Sequence, residues 1–112
     1  MERFIFLNWF DIKIGRLFFL KEHFVFQFIQ KNIHEAINEC CPINTFNVLS
    51  KYKTLLYDKK PPKPFEPFLI PDNRIDLIKK FNISNKDNSF DILYKVASKS
   101  DLLDKNGFWI SI

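Results

Sequence analysis

The sequence predicts an α+β fold: a mostly antiparallel sheet from N- and C-terminal strands, with two or three central helices packed on one face. Three observations point there. Near both ends, Phe and Ile alternate with polar residues, the period of a strand with one wet face. In the middle, apolar residues recur every three or four positions, the period of an amphipathic helix. Strands come first, helices second and strands last, an order that favours helices layered on an antiparallel sheet. The 112 residues fit a single compact domain spanning 1–112. A globule of this size buries roughly two thirds of its unfolded surface, enough for a core without disulfides or a structural metal.

The elements follow in order. Residues 3–7 and 10–20 are apolar runs joined at Asn8-Trp9, which reads as a tight connection. Phe10, Ile12 and Ile14 alternate with Asp11 and Lys13. Phe18-Phe19-Leu20 is apolar on both faces, which suits double burial or an oligomer interface. Phe24, Phe26 and Phe28 mark a third strand. The period then changes: Ile29, Ile33, Ala36, Ile37 and Cys40 share a helix face that Pro42 should end. Asn44 or Thr45 can cap a second helix with Val48, Leu49, Tyr52, Leu55 and Leu56 on one face. Residues 61–71, PPKPFEPFLIP, hold five of the six prolines and read as extended chain, with Phe65, Phe68 and Leu69 pinned to the core. Asp72 can cap a short helix to Phe81 with Leu77, Ile78 and Phe81 inward, and 82–89 is turn-forming. Phe90, Ile92, Tyr94 and Val96 alternate; a helix face also fits, but aromatic and β-branched content favours a strand. Residues 100–104 suit one helical turn, Asn106-Gly107 a turn, and 108–112 a terminal strand.

Composition excludes several function classes. Two glycines cannot build a Gly-rich phosphate loop. One adjacent cysteine pair makes neither a disulfide framework nor a Cys-rich zinc site. The abundance of Phe, Ile, Lys and Asn matches A+T-rich codons, so genomic bias explains it better than a selected surface. Net charge is +4, and the surplus lies in Lys51, Lys53, Lys59, Lys60 and Lys63. No export signal or long apolar span is legible, which together with the cysteine usage points to a reducing cytoplasm and no membrane.

Catalytic constellations are broken wherever they begin. His34-Glu35 opens like the zinc-protease HExxH motif, but Asn38 stands where the second histidine belongs. His34 and Cys41, seven residues apart on a helix, are separated by about 10.5 Å along its axis, too far for a nucleophile–base pair. Cys40 and Cys41 therefore read as small buried apolar residues. His23 matches no ligand spacing, and Asp11 and Glu22 can act as acid and base only if the fold joins them. No enzyme, cofactor or metal is expected.

A domain without catalytic groups works most often by binding. The expected function is a small cytoplasmic protein-binding protein of the immunity or antitoxin type, neutralising a cognate toxin by steric occlusion. Its expected surface is Lys51, Tyr52, Tyr57, Lys59, Lys60, Lys63, Phe65 and Phe68, where aromatic anchors meet a charged rim. The same mixture can stack bases and hold phosphates, so a nucleic-acid accessory protein is the alternative. A structural oligomer subunit using 18–20 is the third. The proline spacing also allows docking to an SH3-like module, but no basic residue sits in a convincing register.

Overall fold

The computed structural model describes residues 3–41, 60–99 and 107–112, and the backbone of 54–57. Strands β1 (Phe4–Trp9), β2 (Ile12–Leu20) and β3 (His23–Phe28) lead into helix α1 (Gln30–Asn38). Strand β4 (Thr54–Tyr57), a 3-10 turn (Lys63–Phe68), helices α2 (Ile75–Lys80) and α3 (Ser89–Lys99), and strand β5 (Phe108–Ser111) follow. The strands form an antiparallel sheet in the order β4-β3-β2-β1-β5. The buried faces of α1 and α3 share one core with the inward side chains of the sheet. The α+β expectation therefore holds.

A bulge shapes the sheet. Leu7 pairs with Gly15 but Asn8 pairs with Lys13, so Ile14 is the extra residue of β2. The bulge flips the alternation, so Ile12 and Ile14 on one side of it and Leu17 on the other are all buried. Its loosened carbonyls go to α1: Ile29 donates its backbone N–H to the Ile14 carbonyl at 2.8 Å, and the Asn32 amide donates to the Lys13 carbonyl at 2.8 Å. The bulge thus places the first helix.

Several element boundaries depart from expectation, each for a local reason. The β1–β2 turn is Phe10-Asp11, not Asn8-Trp9. Asn8 is a buried strand residue whose amide donates to the Ser111 hydroxyl at 3.0 Å and, at 3.4 Å, to the Trp109 carbonyl. Lys21 and Glu22 form the next turn, both with positive φ, as a tight hairpin requires. Helix α1 ends before Pro42: Cys40, at φ 66°, and Cys41 donate back to the carbonyls of Ile37 and Ala36. Cys40 is exposed as a result, contrary to the expected buried pair, while Cys41 is buried.

Residues 54–57 are a strand rather than the end of a second helix, paired with 24–27 of β3. Pairing with a phenylalanine-rich neighbour overrides the helical spacing of the two leucines. The rest of the expected second helix, 44–53, lies outside the described residues, as does the expected helical turn at 100–104. The proline segment coils into 3-10 rather than running extended, because the fixed proline φ suits both forms. Asp72 caps nothing; Arg74 precedes α2. Residues 89–99 are helix, not strand. Asn88 accepts the Asp91 N–H at 2.8 Å and Asp91 accepts the Asn88 N–H at 3.1 Å, a reciprocal cap that starts α3.

Candidate functional site

The expected binding surface divides on folding. Lys51, Tyr52 and Lys59 lie outside the described residues, and Tyr57 is described only as backbone opposite Phe24. Lys60 and Lys63 are exposed. Phe65 is fully buried, its ring 5.8 Å from that of Phe26. It is a core residue, and the expectation that it anchors a partner is corrected: no partner reaches it while the fold is intact. Phe68 is half-buried at the rim of the same core. The 3-10 turn puts Phe65 and Phe68, three residues apart, on one face that points to the core, with Phe65 deep in it and Phe68 at its margin.

Beyond Phe68 three more aliphatic residues come partly to the surface, with the exposed Asp72, Asn73 and Arg74 between them. Leu69 and Ile70 are half-buried, and Ile75 opens α2 at 62% exposure. None of the six residues of α2 is fully buried. Lys79 and Lys80 stand exposed in its last turn, where they favour the negative end of the helix. Arg74 and Asp76 form a fork of two 3.3 Å hydrogen bonds before the first turn. That pairing pulls the Asp76 carboxyl below its usual value. The short helix closes at Asn82, at φ 55°, whose N–H donates to the Lys79 carbonyl.

Two hollows open elsewhere. One, about 530 Å³, is lined by Trp9, Phe10, Asp11, Ile12, Glu35 and Glu39. The other, about 300 Å³, is lined by Phe19, Glu22, Phe24, Asn88 and Ser89. Asp11 and Glu22 fall in different hollows, at the two ends of β2, which is about 30 Å long at ~3.3 Å per residue. The fold does not bring them together as acid and base. His34 is exposed while Cys41 is buried, and burial pushes the Cys41 thiol up to about 12. At that value it is neither a nucleophile nor a redox centre at neutral pH. Among the described residues, no three His, Cys, Asp or Glu side chains group as metal ligands. No helix among them is long and apolar enough to cross a membrane.

Sequence reasoning missed the outer face of the sheet. Lys13 Nζ sits 4.3 Å from the centroid of the Phe6 ring, and the Arg16 guanidinium lies 5.6 Å from Phe6 and 5.9 Å from Phe4. Phe4 touches Phe18 across the strand pair, at 5.6 Å between centroids. The signal was available: Phe4, Phe6, Lys13, Arg16 and Phe18 are the residues left over once the inward set is removed. The bulge hides it, because a strict two-residue period puts Lys13 and Arg16 on opposite faces. Comparison with protein-family models, curated proteins and solved structures finds no match to this chain.

Proposed function

We propose that this protein acts by docking a protein partner, and that it is a cytoplasmic inhibitor of the immunity or antitoxin type that covers its partner's working site. The observation that supports this reading is the exposed Ile75 at the start of α2, which follows the half-buried Phe68, Leu69 and Ile70 after the exposed Pro71, Asp72, Asn73 and Arg74. Leu77 packs against the core from α2 while Ile75 stays largely exposed, so Ile75 is the residue of this helix that packing within the chain explains least. A half-buried aromatic and an exposed aliphatic on a segment flanked in sequence by the exposed Lys60, Lys63, Lys79 and Lys80 fit a small interface with an apolar centre and a charged rim. Lysine-rich rims steer encounter with an acidic surface more than they tighten the complex. Inhibition by this route is steric and needs no reacting group on the inhibitor.

The test uses the intact chain and a Phe68→Ala, Ile75→Ser variant. Both sites lie outside the fully buried core, so the variant should stay folded, with a melting temperature lowered only by the packing that Phe68 makes at the core margin. Cross-linking in the source cell should join the wild type to one defined protein, in equal amounts. The variant's affinity for that protein should fall more than about tenfold, as the loss of two apolar anchors predicts. An unchanged affinity, or the lack of any protein cross-linked to the wild type, contradicts the proposal.

A further inference from the structure

The outer face of the sheet is a second surface, opposite the one that carries the helices. We infer that it binds single-stranded nucleic acid, with Phe4, Phe6 and Phe18 as stacking platforms and Lys13 and Arg16 as phosphate contacts. This inference is independent of the protein-docking surface at 68–75 and uses none of its residues.

Strands β1, β2, β3 and β5 contain no Asp or Glu, so among the described residues these strands present cations on their outer face and add no carboxylate to it. Three described cations elsewhere pair with carboxylates: Arg3 with Asp91 at 3.1 Å, Arg74 with Asp76 at 3.3 Å and Lys95 with Asp87 at 2.6 Å. Lys13 and Arg16 instead rest on aromatic rings. A cation over a ring retains its full charge, and that charge is complementary to a phosphodiester backbone.

Shape supplies the second step. A sheet displays side chains in rows, and partly exposed rings on neighbouring strands give flat platforms on which unpaired bases stack. Phe4 and Phe6 lie 5.0 Å apart along β1 with their rings at 86°, and Phe18 on β2 lies beside Phe4 at 39°, so each ring offers its own face to a base. The described helices take the opposite face, since the buried residues of α1 and α3 pack with the inward side chains. When a base stacks on Phe6, Lys13 leaves the ring and meets the adjoining phosphate, so the resting contact keeps the cation poised. A duplex hides its bases and cannot use the rings. An acidic peptide satisfies the cations but offers no flat partner to the platforms.

Fluorescence anisotropy with a labelled oligo(dT) and oligo(U) of about 16 nucleotides tests the inference. Binding is expected for both strands, with affinity falling about sevenfold between about 50 and 200 mM salt if two phosphates are neutralised. Lys13→Glu with Arg16→Glu should weaken it more than about tenfold. Phe6→Leu, which keeps an apolar side chain at the sheet, should weaken it about fivefold with salt dependence unchanged. Circular dichroism melting of each variant confirms that the fold is kept. A duplex of equal length bound as tightly, or polyglutamate competing as well as the unlabelled strand, overturns the inference in favour of a general polyanion or acidic-protein surface. Full affinity in the double-charge variant, or no binding by the wild type, overturns it outright.

Discussion

Gly15 shows how the lack of a side chain shapes the sheet. A Cβ added there would lie 2.5 Å from Phe26 Cζ and 2.6 Å from the Gln27 carbonyl oxygen, so β2 and β3 approach this closely only because the residue beside the bulge is glycine. Gly15→Ala should destabilise the protein by about 1–3 kcal/mol in urea unfolding, the range for overpacking a filled interior. Phe65 makes the complementary point. Phe65→Ala should cost about 3–5 kcal/mol by opening a cavity beside Phe26, whereas Phe68→Ala at the margin should cost far less. The cysteines divide the same way. Cys40 should react with iodoacetamide in the native protein at least about tenfold faster than Cys41, whose thiol is buried and held near 12, as mass spectrometry of the labelled chain reads directly. At this scale the sequence was informative about burial. The alternating Phe24, Phe26 and Phe28 are all buried, and Phe65, Phe68 and Leu69 meet the core as their spacing implied. It was misleading where a residue adopts an unusual backbone: Cys40 sat on the apolar helix face until its left-handed conformation turned it outward.

Elements were legible where period and local chemistry agreed. The three N-terminal strands and the first helix have a clear period, and each is present. Residues 89–99 carry two periods at once, so alternation could not decide between strand and helix. What decides is the cap, Asn88 with Asp91 three residues on, a signature visible in the sequence but outranked there by β-branched content. Asn88→Ala should lower stability by about 1 kcal/mol, measured by thermal melting. The loop before α3 has its own lock. Lys95 Nζ donates to Asp87 at 2.6 Å and to the Asn82 carbonyl at 2.8 Å, and Asp87 also accepts the Ser84 N–H at 2.8 Å. The Lys95 bond first, then the Ser84 N–H, hold the Asp87 carboxyl below its usual 3.8. A carboxyl lowered by folding stabilises the fold above its unfolded value and loses that contribution as pH falls through the folded value. The melting-temperature gap between wild type and Asp87→Asn should therefore be present at neutral pH and close in acid below 3.8. The turns at Phe10-Asp11 and Lys21-Glu22 were hard to read because Phe10, Lys21 and Glu22, the residues with positive φ, are not usual turn formers; the pairing of the flanking strands imposes the geometry.

For the whole molecule, the class of fold followed from the order of periods, but the strand order did not. Placing β5 beside β1 and β4 beside β3 depends on contacts distant in sequence, which a local period cannot express. The candidate surfaces were only half legible for the same reason. The lysine- and aromatic-rich stretch drew attention to Phe68, yet the neighbouring exposed Ile75 stood out only once α2 was seen to bury none of its residues fully. The aromatic and cationic outer face needed the bulge to bring Lys13 and Arg16 together. The two proposals thus use different surfaces, the margin at Phe68 and Ile75 for a protein and the outer sheet face for a nucleic acid strand. The central claim is the inhibitory use of the first. Titrating the intact chain into its cross-linked partner, with the partner's own activity as readout, tests it most directly. The account predicts a linear loss of activity ending at one chain per partner, shifted to large excess by Phe68→Ala with Ile75→Ser. Partner activity that stays unchanged at saturating chain contradicts it.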